Sequence, residues 1–131
     1  MNTQANLGQP SPSAIEALYA TGHWLFTQER VNDAQSVFRA LIYVAPQDER
    51  GWLALGACHE AHGEHDIAYE LYDMASTLGD APRCAIARAR ILRGRGLERE
   101  ARQTLDEVAQ LAASQRDDEL RALVAAERGR P

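Results

Sequence analysis

Residues 52–75 read WLALGACHEAHGEHDIAYELYDMA, and this stretch sets the pattern for the rest of the chain. Two apolar-rich stretches meet at a polar turn around Gly63, and in the second stretch apolar residues recur three or four positions apart. This spacing places the apolar side chains on one face of a helix. The segment therefore predicts two antiparallel helices joined by a short turn.

The same pattern recurs on both sides of this stretch. Alanines near the start of the second helix lie at spacings of 34 and 33 residues, at Ala34, Ala68 and Ala101. Four positions after each alanine comes a large apolar residue, and twelve positions before it comes a small one. These two columns are Phe38, Tyr72 and Leu105, and Gly22, Gly56 and Ala89. A repeat of this length predicts stacked helix pairs that share one continuous core.

We therefore expect an all-α fold, a solenoid of three helix pairs with a C-terminal capping helix. The predicted repeats cover about 15–48, 49–81 and 82–114, and the capping helix covers 115–128. Together they form a single domain, 14–128, that follows a flexible tail, 1–13. Ser13 and Glu16 have the spacing of a capping box, so the first helix is expected to begin there.

Charge is distributed unevenly along the chain. All 14 basic residues are arginines, and residues 1–82 carry a net charge of −8 while residues 83–131 carry +3. The stretch from Arg83 to Arg102 holds seven arginines, two acids and no aromatic residue on which a base could stack, which argues against nucleic-acid binding. Two interpretations remain open for it: a solvated helical face, or an end of the molecule that suits an acidic peptide.

The composition also limits where the chain works. No apolar run approaches the roughly 20 residues that span a bilayer. Met1 to Pro10 has neither the basic start nor the apolar stretch of a secretory signal, so we expect a cytoplasmic protein without membrane insertion. Cys58 and Cys84 are widely separated and lack metal-ligand spacing, so they are expected to be reduced thiols on helices.

Catalytic and metal chemistry is not expected. His59, His62 and His65 are close in sequence, but the turn at Gly63 divides them, which favours solvated histidines over a metal site. The sequence has no recognisable nucleophile–base pair and no glycine-rich phosphate loop. We therefore expect no enzyme activity, no metal and no cofactor.

Two sets of residues resemble known proteins. The unit with Trp52, Leu55, Gly56, Ala68 and Tyr72 resembles the tetratricopeptide repeat. Within that class, residues 15–112 resemble the class II chaperones of bacterial type III secretion. The stretches that carry this resemblance are Leu18-Tyr19, Asp33-Ala34, Val37 to Leu41, Leu55 to Cys58, Gly63 and Asp66 to Ala68. It implies a protein that keeps hydrophobic translocators soluble and separate in the bacterial cytoplasm before export.

The repeat columns also predict a binding groove, because the first helix of each pair lines the concave face of such a solenoid. The inward positions are Tyr19, His23 and Phe26, then Leu53, Ala57 and Glu60, then Ile86, Arg90 and Arg93. The resemblance implies that Tyr19 and Phe26 receive apolar side chains of an extended client segment, although both could instead pack between helices. Tyr72 lies in the column that packs between units and is expected in the core.

Self-association is a further expectation. Tyr43 and Val44 lie late in a second helix, on the convex side, and are candidates for a homodimer contact. The resembling chaperones usually self-associate through an extra helix before the first repeat, whereas about 13 residues precede it here. The leading functional hypothesis is a chaperone for a translocator or another export substrate such as a needle component or an effector. The alternative is a generic repeat adaptor that scaffolds another bacterial complex.

Overall fold

The computed structural model describes residues 11–131, and in this range the chain forms seven α-helices and no strand, which confirms the all-α prediction. The helices are α1 (Pro12–Thr27), α2 (Val31–Val44), α3 (Glu49–Ala61), α4 (His65–Leu78), α5 (Pro82–Gly94), α6 (Glu98–Gln115) and α7 (Asp118–Arg128). None of these helices is long and apolar enough to cross a membrane.

The first helix starts earlier than the capping box predicted. Its N-cap is Ser11, whose hydroxyl accepts a hydrogen bond from the backbone N–H of Ala14 at 3.1 Å. Pro12 then occupies the first helical position, where its missing N–H and fixed φ are favourable, so the capping box at Ser13 was wrong. Residues 1–10 of the predicted tail lie outside the described residues.

The last helix also has a side-chain cap. Asp117 accepts a hydrogen bond from the backbone N–H of Leu120 at 2.9 Å, and α7 begins at the next residue. The predicted start at 115 was therefore early, because α6 continues to Gln115 and ends with Arg116 in the left-handed conformation, at a φ of 53°. The capping helix itself is confirmed.

The turn inside each helix pair uses the same backbone geometry. Glu29, Gly63 and Gly96 occupy equivalent positions and have φ values of 61°, 74° and 80°. Glycine adopts this left-handed region without steric cost, whereas Glu29 adopts it although its Cβ makes the region less favourable. The three turns predicted from the repeat are therefore one structural feature repeated three times.

The small-residue column lets two helices of a pair approach closely. Gly22 lies against the Phe38 ring and Gly56 lies against the Tyr72 ring, so closely that an added Cβ would come within 2.4 Å and 2.1 Å of ring carbons. In the third unit, Ala89 takes the place of the glycine and Leu105 the place of the aromatic ring, and both are buried. The smaller Leu105 side chain leaves room for the methyl group of the alanine.

The odd-numbered helices form the inner face of the solenoid. Helix α3 contacts both α1 and α5, and α5 contacts α7, whereas no Cα atom of α2 lies within 8 Å of one of α4 among the described residues. Helices that touch across successive units lie on the inside of a curved stack, and helices that separate lie on the outside. The helices α1, α3, α5 and α7 therefore line the concave face.

The second and third units are joined by a carboxylate that caps a helix. No side chain of its own caps the start of α5. Instead, an oxygen of Glu49 accepts hydrogen bonds from the backbone N–H groups of Arg83 at 2.8 Å and Cys84 at 3.0 Å. Burial raises the pKa of Glu49, although these hydrogen bonds favour its ionised form. The start of α5 is thus fixed by the preceding unit.

Candidate functional site

The first cavity of the concave face lies between α1 and α3. It has a volume of about 250 Å³. Its lining consists of Tyr19, His23 and Phe26 from α1, Phe38 from α2, and Arg50, Leu53, Ala54 and Ala57 from α3. The structure thus brings together five of the predicted groove residues around one opening that is largely apolar. Tyr19 and Phe26 are half-buried, so each packs against the core and also presents a surface to the cavity.

Arg50 closes one side of this cavity, and the sequence analysis missed it. Its guanidinium lies 5.1 Å from the centre of the Tyr19 ring, within cation–π range. It also forms ion pairs with Glu16 and Asp48, each at 2.8 Å. These hydrogen bonds lower the pKa values of both carboxyl groups and raise that of Arg50. The arginine therefore holds the Tyr19 ring from one side while its own charge is neutralised.

A second cavity lies next to the first along the concave face. It has a volume of about 200 Å³ and is lined by Leu53, Arg83, Ile86, Ala87, Arg90 and Leu123. Leu53 lines the first cavity as well, so the two openings are adjacent. Leu123 comes from the capping helix α7 and is 39% exposed. The capping helix therefore supplies one wall of this cavity, which the repeat pattern did not predict.

A third cavity lies beside the turns that follow α3 and α5 and is more polar. Its volume is about 380 Å³, and its lining is Glu60, His65, Arg90, Ile91, Gly94 and Arg95. Glu60 accepts hydrogen bonds from Arg90 and from the hydroxyl of Tyr72, both at 2.6 Å. Because Arg90 lines the second cavity too, the three cavities are neighbours in a row, with two apolar openings followed by one that is lined by charged residues.

Tyr72 links this series to the core. Its ring is 1% exposed, which confirms the prediction that it belongs to the core. Burial raises the pKa of its hydroxyl, and the hydrogen bond to the Glu60 carboxylate raises it further. A core side chain thus orients a charged group of the groove.

Arg93 lies away from the three cavities, although the sequence placed it in the groove. Its guanidinium donates a hydrogen bond to the backbone oxygen of Glu127 at 2.7 Å and lies 3.3 Å from the carboxylate of the same residue. Helix α7 packs on α5 at this point and covers the position. Arg93 therefore attaches the capping helix to the third unit.

Most arginines of the basic stretch bond to acids of the same molecule. Four of those on α5 and its C-cap pair with acids of the second unit: Arg83 with Glu49, Arg88 with Asp73, Arg90 with Glu60, and Arg95 with Asp66. Arg95 also lies 5.0 Å from the centre of the Tyr69 ring. The negative second unit and the positive third unit thus neutralise each other across their interface. Ion pairs therefore replace the solvated face at these residues, whereas Arg99 and Arg102 of the same stretch are exposed. The interpretation as an end that suits an acidic peptide stays a prediction.

The histidine group is only partly solvated. His59 is buried, and its Nδ1 lies 3.1 Å from a carboxylate oxygen of Glu64, so the prediction of three solvated histidines was wrong for His59. His62 and His65 are exposed as expected. Across residues 11–131 the structure assembles no group of three His, Cys, Asp or Glu side chains with the geometry of a metal site.

The candidate self-association residues differ in accessibility. Tyr43 is 88% exposed at the end of α2, whereas Val44 is half-buried against the core of the first unit. Tyr43 alone could offer a large apolar surface to a second copy. The homodimer contact stays a prediction.

Both cysteine thiols are expected to resist alkylation in the folded chain. Cys58 and Cys84 are free and fully buried, which confirms their prediction as unpaired thiols on helices. Burial raises the pKa of Cys58 to about 11, and burial together with nearby Glu49 raises the pKa of Cys84 well above its usual range. Since the thiolate is the nucleophile, iodoacetamide at pH 8 should label neither residue until guanidinium chloride unfolds the chain. Mass spectrometry that found rapid labelling of either native thiol would contradict this.

The chain is similar to known proteins both in sequence and in structure. No protein-family model matches the chain. A 76-residue stretch is 33% identical to the low calcium response locus protein H of Yersinia pestis; it makes up 58% of this chain and 45% of that relative, so the chain matches less than half the length of that curated relative. The type III secretion translocator chaperone SycD of Yersinia enterocolitica superposes with a TM-score of 0.77 at 30% identity, over 96% of each chain. The chain belongs to the type III secretion translocator chaperone family.

Two further structures of such chaperones contain bound protein segments. PcrH of Pseudomonas aeruginosa, in complex with the chaperone-binding region of PopB, is 29% identical with a TM-score of 0.73, over 90% of this chain and 97% of PcrH. SycD in complex with a peptide of the translocator YopD is 27% identical with a TM-score of 0.67, over 90% of this chain and 95% of SycD. The fold of this translocator chaperone family member is thus one that binds peptide segments in those relatives.

Proposed function

We propose that this chain is a cytoplasmic bacterial chaperone that binds an extended segment of a hydrophobic type III secretion translocator in its concave groove. Residues 14–128 act as one tetratricopeptide-repeat domain in this proposal, and no catalysis, metal or cofactor is involved. The observation that carries it is the row of neighbouring cavities along the concave face, with Leu53 shared by the first two and Arg90 by the last two. The relatives SycD and PcrH, which bind translocator segments, support it.

The geometry of the groove favours an extended segment over a folded partner. The two apolar cavities are separate openings of about 250 Å³ and 200 Å³, each suited to a side chain rather than to a helix. A chain in extended conformation presents alternate side chains to the same side, so successive anchors can enter adjacent openings. The half-buried rings of Tyr19 and Phe26 offer large rigid contact areas at low entropic cost.

The charged third cavity restricts the type of residue that comes after the apolar anchors. Glu60 and Arg90 are hydrogen-bonded to each other there, and Arg95 is bonded to Asp66, so the opening has exposed polar groups but little net charge. An apolar side chain at this point would cover these polar groups and displace the water that hydrates them, which costs free energy. The client segment is therefore expected to have two apolar anchors and then a polar residue.

Substitution of the groove aromatics is expected to weaken client binding. Tyr19→Ala and Phe26→Ala each remove contact surface from the first cavity and should each reduce the binding free energy by more than about 1 kcal/mol. Isothermal titration with the chaperone-binding segment of a translocator would measure it. Tyr43→Ala is the matched control, because that tyrosine is 88% exposed and lies outside the groove.

One result of that titration would contradict the prediction. If the Tyr19 and Phe26 variants bound the segment as tightly as the Tyr43 variant, both rings would be only packing residues. Co-expression tests the proposal more broadly: a client translocator should remain soluble only when this chain is present. A translocator that stayed insoluble with the chain, or soluble without it, would overturn the chaperone proposal.

A further inference from the structure

The outer face of α4 carries a row of exposed apolar side chains. Ile67, Met74 and Leu78 are 43%, 49% and 41% exposed, and Leu71 lies between them, half-buried against the core formed by α1, α2 and α3. These positions follow an i, i+4, i+7, i+11 spacing, which places them on one side of the helix. We call these four residues the α4 ridge. It lies on the convex side, opposite the groove.

The repeat fold does not require the α4 ridge. The positions equivalent to Ile67 and Met74 are Asp33 and Ala40 in α2, and Glu100 and Glu107 in α6. The first and third units thus fold with charged or small residues where the second unit exposes two large apolar side chains. Exposed apolar residues that cluster on one face, without a packing role, are typical of interaction surfaces.

The charge around the α4 ridge indicates the kind of partner. Residues 62–80 contain five acidic residues and no arginine. Asp66 and Asp73 pair with arginines of the third unit. Glu70 is exposed beside the α4 ridge, between Ile67 and Met74, and forms no ion pair with any of residues 11–131. An apolar surface with this acidic border complements apolar side chains that are flanked by basic ones.

The size of the α4 ridge indicates a short partner helix and not a second copy. From Ile67 to Leu78 a helix rises about 16 Å, which is three turns. Four side chains cover far less than the roughly 800 Å² per partner that a stable dimer buries. A single amphipathic helix, which meets another helix through residues at the same spacing, fits this strip.

We propose that the α4 ridge is a second docking surface, which takes a short amphipathic helix of another protein with basic residues beside its apolar stripe. The apolar side chains of that helix pack between Ile67, Met74 and Leu78, and a basic residue pairs with Glu70. This surface is independent of the concave groove. One chain can therefore hold an extended segment on one side and a helix on the other.

A pair of designed peptides tests this proposal on the full chain. The first is a 14-residue helix with leucines at the ridge spacing and lysines beside them, and the second has glutamates in place of the lysines. Fluorescence anisotropy at low salt should show at least tenfold tighter binding of the lysine peptide. The double variant Ile67→Glu/Met74→Glu should bind it at least tenfold more weakly, whereas Ala40→Glu at the equivalent place in α2 should not change the affinity.

Three results would overturn the proposal. Equal affinity of the lysine peptide for the wild-type chain and the Ile67→Glu/Met74→Glu variant would place its binding elsewhere. Loss of binding in Tyr19→Ala would place the peptide in the groove. A concentration-dependent dimer in sedimentation analysis that the double variant abolished would assign the α4 ridge to a second copy. Groove binding by a translocator segment is measured separately, so its failure leaves this test intact.

Discussion

Replacing Gly56 by alanine is expected to lower the free energy of unfolding by about 3 kcal/mol, the upper part of the range for an overpacked core. A Cβ at this position would lie 2.1 Å from Cε1 and 2.5 Å from Cζ of the Tyr72 ring. The ring is 1% exposed and its hydroxyl is bonded to Glu60 at 2.6 Å, so it cannot move aside without breaking that hydrogen bond. Urea unfolding followed by circular dichroism would measure the loss.

Two further variants make the reason for this loss testable. Gly94→Ala is the control, because an added Cβ there has no atom within 4 Å, and its free energy of unfolding should stay the same or rise slightly. Gly56→Ala/Tyr72→Leu reproduces the third unit, in which Ala89 accompanies Leu105. It should be more stable than Gly56→Ala alone, since the two sites are in contact and their effects do not add. If Gly56→Ala were as stable as the wild type, the close approach of α3 and α4 would be disproved.

Removing the carboxylate of Glu127 is expected to destabilise the chain by about 3 kcal/mol. Glu127 is 4% exposed, and its carboxylate lies 3.3 Å from Arg93, whose side chain is 19% exposed. In Glu127→Ala, the charge of the mostly buried Arg93 would lose this carboxylate. Glu98, at 3.5 Å, would be its remaining acidic partner. The end of α7 should then detach first, which hydrogen exchange of the α7 amides would show.

A double variant separates the charge from the packing at this position. Arg93→Met/Glu127→Leu removes both charges and keeps apolar volume, so it should lose much less stability than Glu127→Ala. Arg121→Ala on the exposed side of α7 is a control, because its ion pair with Asp118 is a solvent-exposed i, i+3 contact of little energetic value. A double variant as unstable as Glu127→Ala would mean that the loss comes from packing and not from an unpaired charge.

Much of the groove could be predicted from the sequence because it depends on repeat position. Tyr19, Leu53 and Ile86 occupy one column at spacings of 34 and 33 residues, and all three line cavities of the concave face. Once the register of the repeat is known, the side of the helix that each residue faces is fixed by helical geometry. The aromatic and apolar openings could therefore be predicted without coordinates.

The charged residues could not be placed in this way. Arg50 bonds to Glu16, 34 residues away, and Arg93 bonds to Glu127, also 34 residues away. Long arginine side chains reach several acids from one backbone position, so the sequence offers several partners for each. The sequence did contain one indication of these ion pairs. The net charges of −8 in residues 1–82 and +3 in residues 83–131 are typical of two surfaces with complementary charge.

The sequence by itself determined the repeat, the seven helices and the residues that pack them, because the spacing of small and large apolar residues allows only one close-packed arrangement of each pair. The same spacing determined which side of the first helices faces inward. The tertiary structure alone decided which arginine meets which acid, that Glu49 caps the helix of the next unit, and that α7 covers Arg93 while Leu123 joins the groove. The charged contacts join residues about one repeat apart. Because a long charged side chain can reach several partners from one backbone position, only the tertiary structure selects among them.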